Sequence, residues 1–120
     1  MARTNPNPED FLPLTPAVFH ILLALSDDEQ HGYAIMQTVA EHTDGKIKLG
    51  PGTLYGTLKR LLEAGLVEES DERPHPDLDD ERRRYYKLTT LGRRVAKAEA
   101  QRYADLVKVA QGTKLLGKPA

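Results

Sequence analysis

Two blocks of this 120-residue chain concentrate the side chains that could do chemistry. Between Gly45 and Leu62 lie four bases, Lys46, Lys48, Lys59 and Arg60, with no acid among them. Between Arg82 and Ala98 lie seven more, Arg82, Arg83, Arg84, Lys87, Arg93, Arg94 and Lys97, again with no acid. Ammonium and guanidinium groups gathered without counter-charges point to recognition of an anion, and hydroxyls interleaved with them, Thr53 and Tyr55, can bond a phosphate or a base edge. Each block alone is equally consistent with a solvated helix face; two blocks flanking one motif favour an anionic partner. The formal net charge is only −1, because the acids collect elsewhere: Asp27 to Glu29, and nine between Glu63 and Glu81 against the single Arg73. A polyanion responds to local potential rather than to the whole-chain sum.

The first block is carried by GPGTLYGTLKRLLEAGLV, Gly50 to Val67. Its spacing predicts a helix from about Pro51 to Gly65, with Leu54, Leu58 and Leu61 as an inner i, i+4, i+7 seam and Leu62 at its edge. At about 100° per residue the opposite face shows Gly52, Gly56, Lys59 and Glu63, flanked by Thr53, Tyr55 and Arg60. A glycine inside a helix costs roughly 1 kcal/mol relative to alanine, so a bare Gly56 suits a face that approaches a base edge or phosphate closely. The helix N-terminus adds free N–H groups for a phosphate. Plainer readings stand beside these: Tyr55 closing the core rim, Gly50 and Gly52 only building the turn, Lys59 and Arg60 as bystanders.

The remaining elements must hold that helix in place. Thr15-Pro16 reads as N-cap and first residue of a helix whose Val18, Phe19, Ile21, Leu22, Leu23 and Leu25 give a wide apolar surface. A second helix begins at His31-Gly32-Tyr33, uses Tyr33, Met36, Val39 and Ala40 at helical spacing, and stops at Gly45. Extended Ile47-Lys48-Leu49 leads to the third. Leu66 to Glu69 and Arg83 to Leu88 read as two strands, with Tyr86 and Leu88 inward and Arg83 and Tyr85 outward. The loop between them is acidic at Asp77 to Glu81, held away from phosphates or else paired with the arginines; Arg82, Arg83 and Arg84 stand at its base. Thr89 or Thr90 caps a last helix to about Lys114. The chain thus divides into an arm (1–13) that is flexible or loosely docked through Phe11 and Leu12, a helix–helix–helix–wing domain (14–88), a C-terminal helix (89–116) and a tail (117–120). The expected fold class is mainly α with a small two-stranded β wing.

Composition excludes several alternatives. There is no cysteine, hence no disulfide or thiolate metal site. No apolar run approaches the roughly 20 residues of a bilayer span, and MARTNPNPED lacks a signal peptide's apolar core, so a cytoplasmic protein without membrane contact is expected. The histidines, His20, His31, His42 and His75, show no ligand spacing; His31 and His42, three turns apart, would stand about 16 Å from each other. No phosphate loop or nucleophile–base pair is evident, so neither catalysis, cofactor nor metal is expected.

HGYAIMQTV from His31, GPGTLYGTLKRLLEAGLV from Gly50 and RRYYKLTTLG from Arg83 together make the chain resemble the PadR family of winged helix-turn-helix regulators, over roughly residues 14–94. The short run after Gly92 resembles the compact subfamily with one C-terminal helix. The resemblance implies a bacterial, homodimeric transcriptional repressor that leaves DNA on meeting a small molecule or other signal. Where many relatives carry proline after the motif tyrosine, this chain has Gly56, and it has no tryptophan on which to stack an aromatic drug. The DNA-contacting set is expected to be Lys46, Lys48, Thr53, Tyr55, Gly56, Lys59, Arg60, Arg82, Arg83 and Arg84. Val95, Ala98, Tyr103, Leu106, Val109, Ala110 and Leu115 are spaced too irregularly for a long coiled coil, which favours dimerisation of the C-terminal helix against the partner's first helix. Two reading helices would then lie about 34 Å apart on a pseudo-palindromic double-stranded operator. Phe19 and Tyr103 would line an effector cavity at that interface or fill its core. A winged-helix module for protein–protein assembly is the alternative from another class.

Overall fold

The computed structural model describes residues 6–70 and 84–117. Arg82, Arg83, the acidic stretch Asp77 to Glu81, the first five residues and the last three lie outside the described residues. Four α-helices and three short strands follow in order: α1 (Pro16–Ala24), β1 (Gln30–His31), α2 (Gly32–His42), α3 (Pro51–Glu63), β2 (Val67–Ser70), β3 (Tyr85–Leu88) and α4 (Thr90–Gly112). A 3-10 turn, Pro8–Phe11, precedes them and lies against α4. Phe11, Leu12 and Leu14 are partly buried against the core.

Local chemistry sets the element ends. The Thr15 hydroxyl accepts from the Val18 amide at 3.3 Å, and Pro16, which has no N–H to satisfy, opens α1. α2 closes where Asp44 and Gly45 take positive φ, 53° and 78°, with the Gly45 amide donating to the Ala40 carbonyl at 2.7 Å. α3 exits through Gly65 at φ 77°. The core is assembled from Ile21, Leu22 and Leu25 of α1, Ile35 and Val39 of α2, Leu54, Leu58 and Leu61 of α3, and Val95 and Ala96 of α4; Leu66, Val67, Tyr86 and Leu88 close it from the sheet side.

Among the described residues the expected two-stranded wing, β2 with β3, gains a third antiparallel strand, in the order β1-β3-β2: Gln30 pairs with Tyr86 and His31 with Tyr85, while Val67 to Ser70 pair with Leu88 to Tyr85. β1 is two residues long, and nothing within two residues can display an alternation. His31 also serves as the N-cap of α2, its Nδ1 accepting from the Ala34 amide at 3.2 Å. On α2 the buried stripe is Gly32, Ile35 and Val39, rotated by one residue from the one expected, so Tyr33 is 58% exposed.

Candidate nucleic-acid interface

α3 presents the expected faces. Leu54, Leu58 and Leu61 are buried, Leu62 is half-buried, and Pro51, Gly52, Thr53, Gly56, Lys59, Arg60 and Glu63 are exposed. Thr57, not singled out from the sequence, completes the buried side at 2% exposure. Nothing stands within 4 Å of where a Cβ on Gly52 or Gly56 would project. The fold thus has room for side chains at both positions, and the exposed side of the helix is bare backbone between Thr53 and the Lys59–Arg60 pair.

The start of α3 adds a second polar feature. Its N-cap, Gly50, supplies no side-chain cap, Pro51 has no amide hydrogen, and the Leu54 amide donates to the Gly50 carbonyl at 2.9 Å. The amides of Gly52 and Thr53 belong to the first turn, where helices leave N–H groups without intrahelical partners, at the positive end of the helix dipole. Lys46 and Lys48, exposed on the strand-like approach to this turn, are close to it in sequence. Among the described residues, none of Lys46, Lys48, Lys59 and Arg60 enters a side-chain ion pair.

The wing strands differ. Arg84 Nη1 lies 3.0 Å from Glu69 Oε1, and Lys87 Nζ lies 3.5 Å from Glu68 Oε1, both across the β2–β3 ladder. Arg93, the next base, donates through Nη1 to the Ser26 carbonyl at 2.9 Å and ties α4 to the end of α1. Three of the five described bases of the second block are thus committed within the protein, while Arg94 and Lys97 are exposed on α4. Arg84 was expected to be a contact group; it is half-buried and partnered.

Tyr55 is half-buried and packed against the core. Its ring lies over Gly32 at the start of α2, so a Cβ there would come within 2.8 Å of its Cε1 and Cζ. Tyr55 therefore sets the approach of α2 to α3, and Gly32 is the residue that permits it. Phe19 and Tyr103 are brought together, their rings stacked with centroids 5.2 Å apart at 13° between planes.

Besides capping α4 as expected, Thr89 joins Gly92 in holding that helix to the exit of α3. The Thr89 hydroxyl donates to the Gly65 carbonyl at 2.6 Å and accepts from the Gly92 amide at 2.9 Å, while the Thr89 amide donates to the Leu66 carbonyl at 3.1 Å. Gly92 lies directly on the Leu66 carbonyl, where a Cβ would stand only 2.8 Å from the carbonyl carbon and nearer still to its oxygen.

A second helix set across a third, bare-faced and basic helix, followed by an antiparallel wing, defines a winged helix-turn-helix protein. The Transcriptional regulator PadR-like family matches residues 21–98, and the chain belongs to that family. It is 33% identical over 93 residues to the transcriptional regulator Rv3488 of Mycobacterium tuberculosis, covering 78% of this chain and 80% of that one. It is 40% identical over 86 residues to an uncharacterized protein of transposon TN4556 from Streptomyces fradiae, covering 72% of this chain but spanning only 22% of that relative's length. Among solved structures, a PadR family transcription regulator of Clostridium difficile superposes with a TM-score of 0.65 at 26% identity, covering 79% of this chain and 94% of that one. A Streptococcus transcriptional regulator does so at 0.64 and 28%, covering 82% and 91%. Among the described residues no helix is long and apolar enough to cross a membrane.

Proposed function

We propose that this transcriptional regulator binds double-stranded DNA as a homodimer and acts as a repressor, with α3 entering the major groove. The observation that carries the reading is the outer face of α3: Gly52, Thr53, Gly56, Lys59 and Arg60 exposed together, with the two cations free of internal partners. Lys46 and Lys48 extend the positive surface toward the adjoining phosphates. Thr53 and the first-turn amides are suited to backbone contacts that fix register, and Lys59 and Arg60 to base edges or phosphate. Arg82 and Arg83 belong to the proposed set as wing contacts.

Dimerisation is supported by α4, whose C-terminal half leaves Leu106, Val107 and Val109 exposed, followed by Leu115 and Leu116 at 85% and 62%. Apolar side chains of that size in one region are a recurrent sign of a partner surface. A two-fold arrangement calls for a pseudo-palindromic operator with half-sites about one turn apart. The release signal, a small molecule in this reading, acts at the α1–α4 junction by separating the Phe19–Tyr103 stack, whose rings otherwise cover each other's faces. Among the described residues no large exposed apolar side chain lies on α3, which disfavours α3 as a protein-assembly surface.

The test is a salt titration of binding to the promoter region of the chain's own gene. Affinity should fall steeply with salt. Lys59→Ala should both weaken binding and reduce the log–log slope by about one unit for each phosphate that the lysine neutralises. No affinity at low salt would end the proposal.

A further inference from the structure

Glu99 is a glutamate at 0% exposure in the third turn of α4, and the DNA-binding face makes no use of it. Its Oε2 accepts the Leu14 amide at 2.7 Å, and Arg102 donates Nε to Oε1 at 2.6 Å and Nη2 to Oε2 at 3.2 Å. The Arg102 guanidinium in turn lies 5.0 Å from the Tyr103 ring centroid, and Tyr103 stacks on Phe19 of α1. Leu14 immediately precedes the Thr15 cap, so this cluster ties the entry of α1 to α4 across 85 positions of sequence.

Its place along α4 matters. Thr89 and Gly92 fix the first turn to the α3 exit, and Val95 and Ala96 are buried in the core. Beyond Glu99 no described residue of α4 is buried. The Glu99 cluster is therefore the last anchor before the helix leaves the body. From Ala104 to Gly112 the segment beyond it is about 12 Å long, so a 10° change at the anchor moves its tip by about 2.1 Å.

We infer that the Leu14–Glu99–Arg102 cluster is a positioning device that fixes the angle between α4 and the DNA-binding body, and so sets the half-site spacing the dimer accepts. The inference rests on the dimeric DNA-binding reading. A buried carboxylate with both oxygens engaged, and with a bidentate guanidinium as one partner, holds direction as well as distance. It does so where a flexing joint would have the largest effect on the separation of two reading helices.

The test uses full-length dimer and the promoter fragment that the wild-type chain binds, intact and with 2 bp inserted at its centre, which turns one half-site by about 70°. A duplex carrying a single half-site serves as reference. Wild type should lose at least about tenfold on insertion, a fraction of one half-site's contacts, while Glu99→Ala and Arg102→Gln should lose less than about threefold. Half-site affinity should be unchanged in both variants. If Glu99→Ala does not fold, the half-exposed Arg102→Gln decides. Variants that keep the wild-type penalty, variants that lose half-site affinity equally, or a wild type indifferent to the insertion would each overturn the inference. A wild type that binds no DNA would instead remove the functional reading beneath it.

Discussion

Gly56→Ala separates stability from recognition. Gly56 lies in the middle of α3, exposed, with nothing within 4 Å of an added Cβ. It is not among the glycines with positive φ. The alanine therefore meets no clash and gains the ordinary helical advantage of about 1 kcal/mol, through lower backbone entropy in the unfolded chain. For a domain near this size that raises the melting temperature by roughly 4 °C. If α3 lies in a groove with its bare face inward, the same methyl holds the backbone off the bases. Removing one base-edge interaction costs about 1–3 kcal/mol, roughly 5- to 150-fold in affinity. Thermal melting together with a fluorescence-anisotropy titration at fixed salt reads both effects. The variant should be more stable and bind less well. Unchanged binding with raised stability would mean that this face never comes close to DNA, and lowered stability would refute the geometry assigned to Gly56.

Gly92→Ala is the opposite case, since its Cβ would press on the Leu66 carbonyl; a loss of about 3 kcal/mol or more is expected in denaturant unfolding. Thr89→Ala removes the α4 cap and the bond to Gly65 together and should cost about 1–2 kcal/mol in the same assay. The Arg102 hydrogen bond holds the Glu99 carboxyl below its ordinary value, helped by the Leu14 amide and opposed by burial. The unfolded chain then binds the proton more readily, so the stabilisation is complete above the unfolded value and fades as pH falls through the folded one. Urea midpoints of wild type and Glu99→Gln should accordingly differ most near neutrality and converge as the pH falls through the lowered folded-state value; a gap independent of pH would contradict the assignment.

Much of this architecture is written locally. Thr15-Pro16, Gly45 and Gly65 act through their own backbone and side chains, and each ends or begins a helix where the sequence places it. The α3 seam and the inward Tyr86 and Leu88 follow from periodicity alone. What the sequence left unread is non-local. The β1 strand exists because Tyr85 and Tyr86 offer it a ladder. Tyr55 turns toward α2 because Gly32 leaves space for its ring. Arg84 and Lys87 form pairs because β2 carries Glu68 and Glu69 in register with β3. A basic block on a strand cannot be judged without its neighbour, whereas on α3 no described acid pairs with Lys59 or Arg60.

That difference also bears on how a signal at α4 could reach DNA. α3 ends at Glu63, and just beyond its C-cap Ala64 the carbonyls of Gly65 and Leu66 are held by Thr89 and Gly92 at the head of α4. The glycine contact leaves no space for the two segments to slide past each other. A rotation of α4 therefore carries the exit of α3 with it instead of being absorbed in a loop. The first α4 anchor thus joins α4 to α3, and the second, at Glu99, joins it to α1. In the proposed reading, an effector that parted Phe19 from Tyr103 would act next to the second anchor, and the first would pass the resulting tilt to α3. Repression and release would then differ by the angle of one helix, with no change in the groove-facing residues themselves.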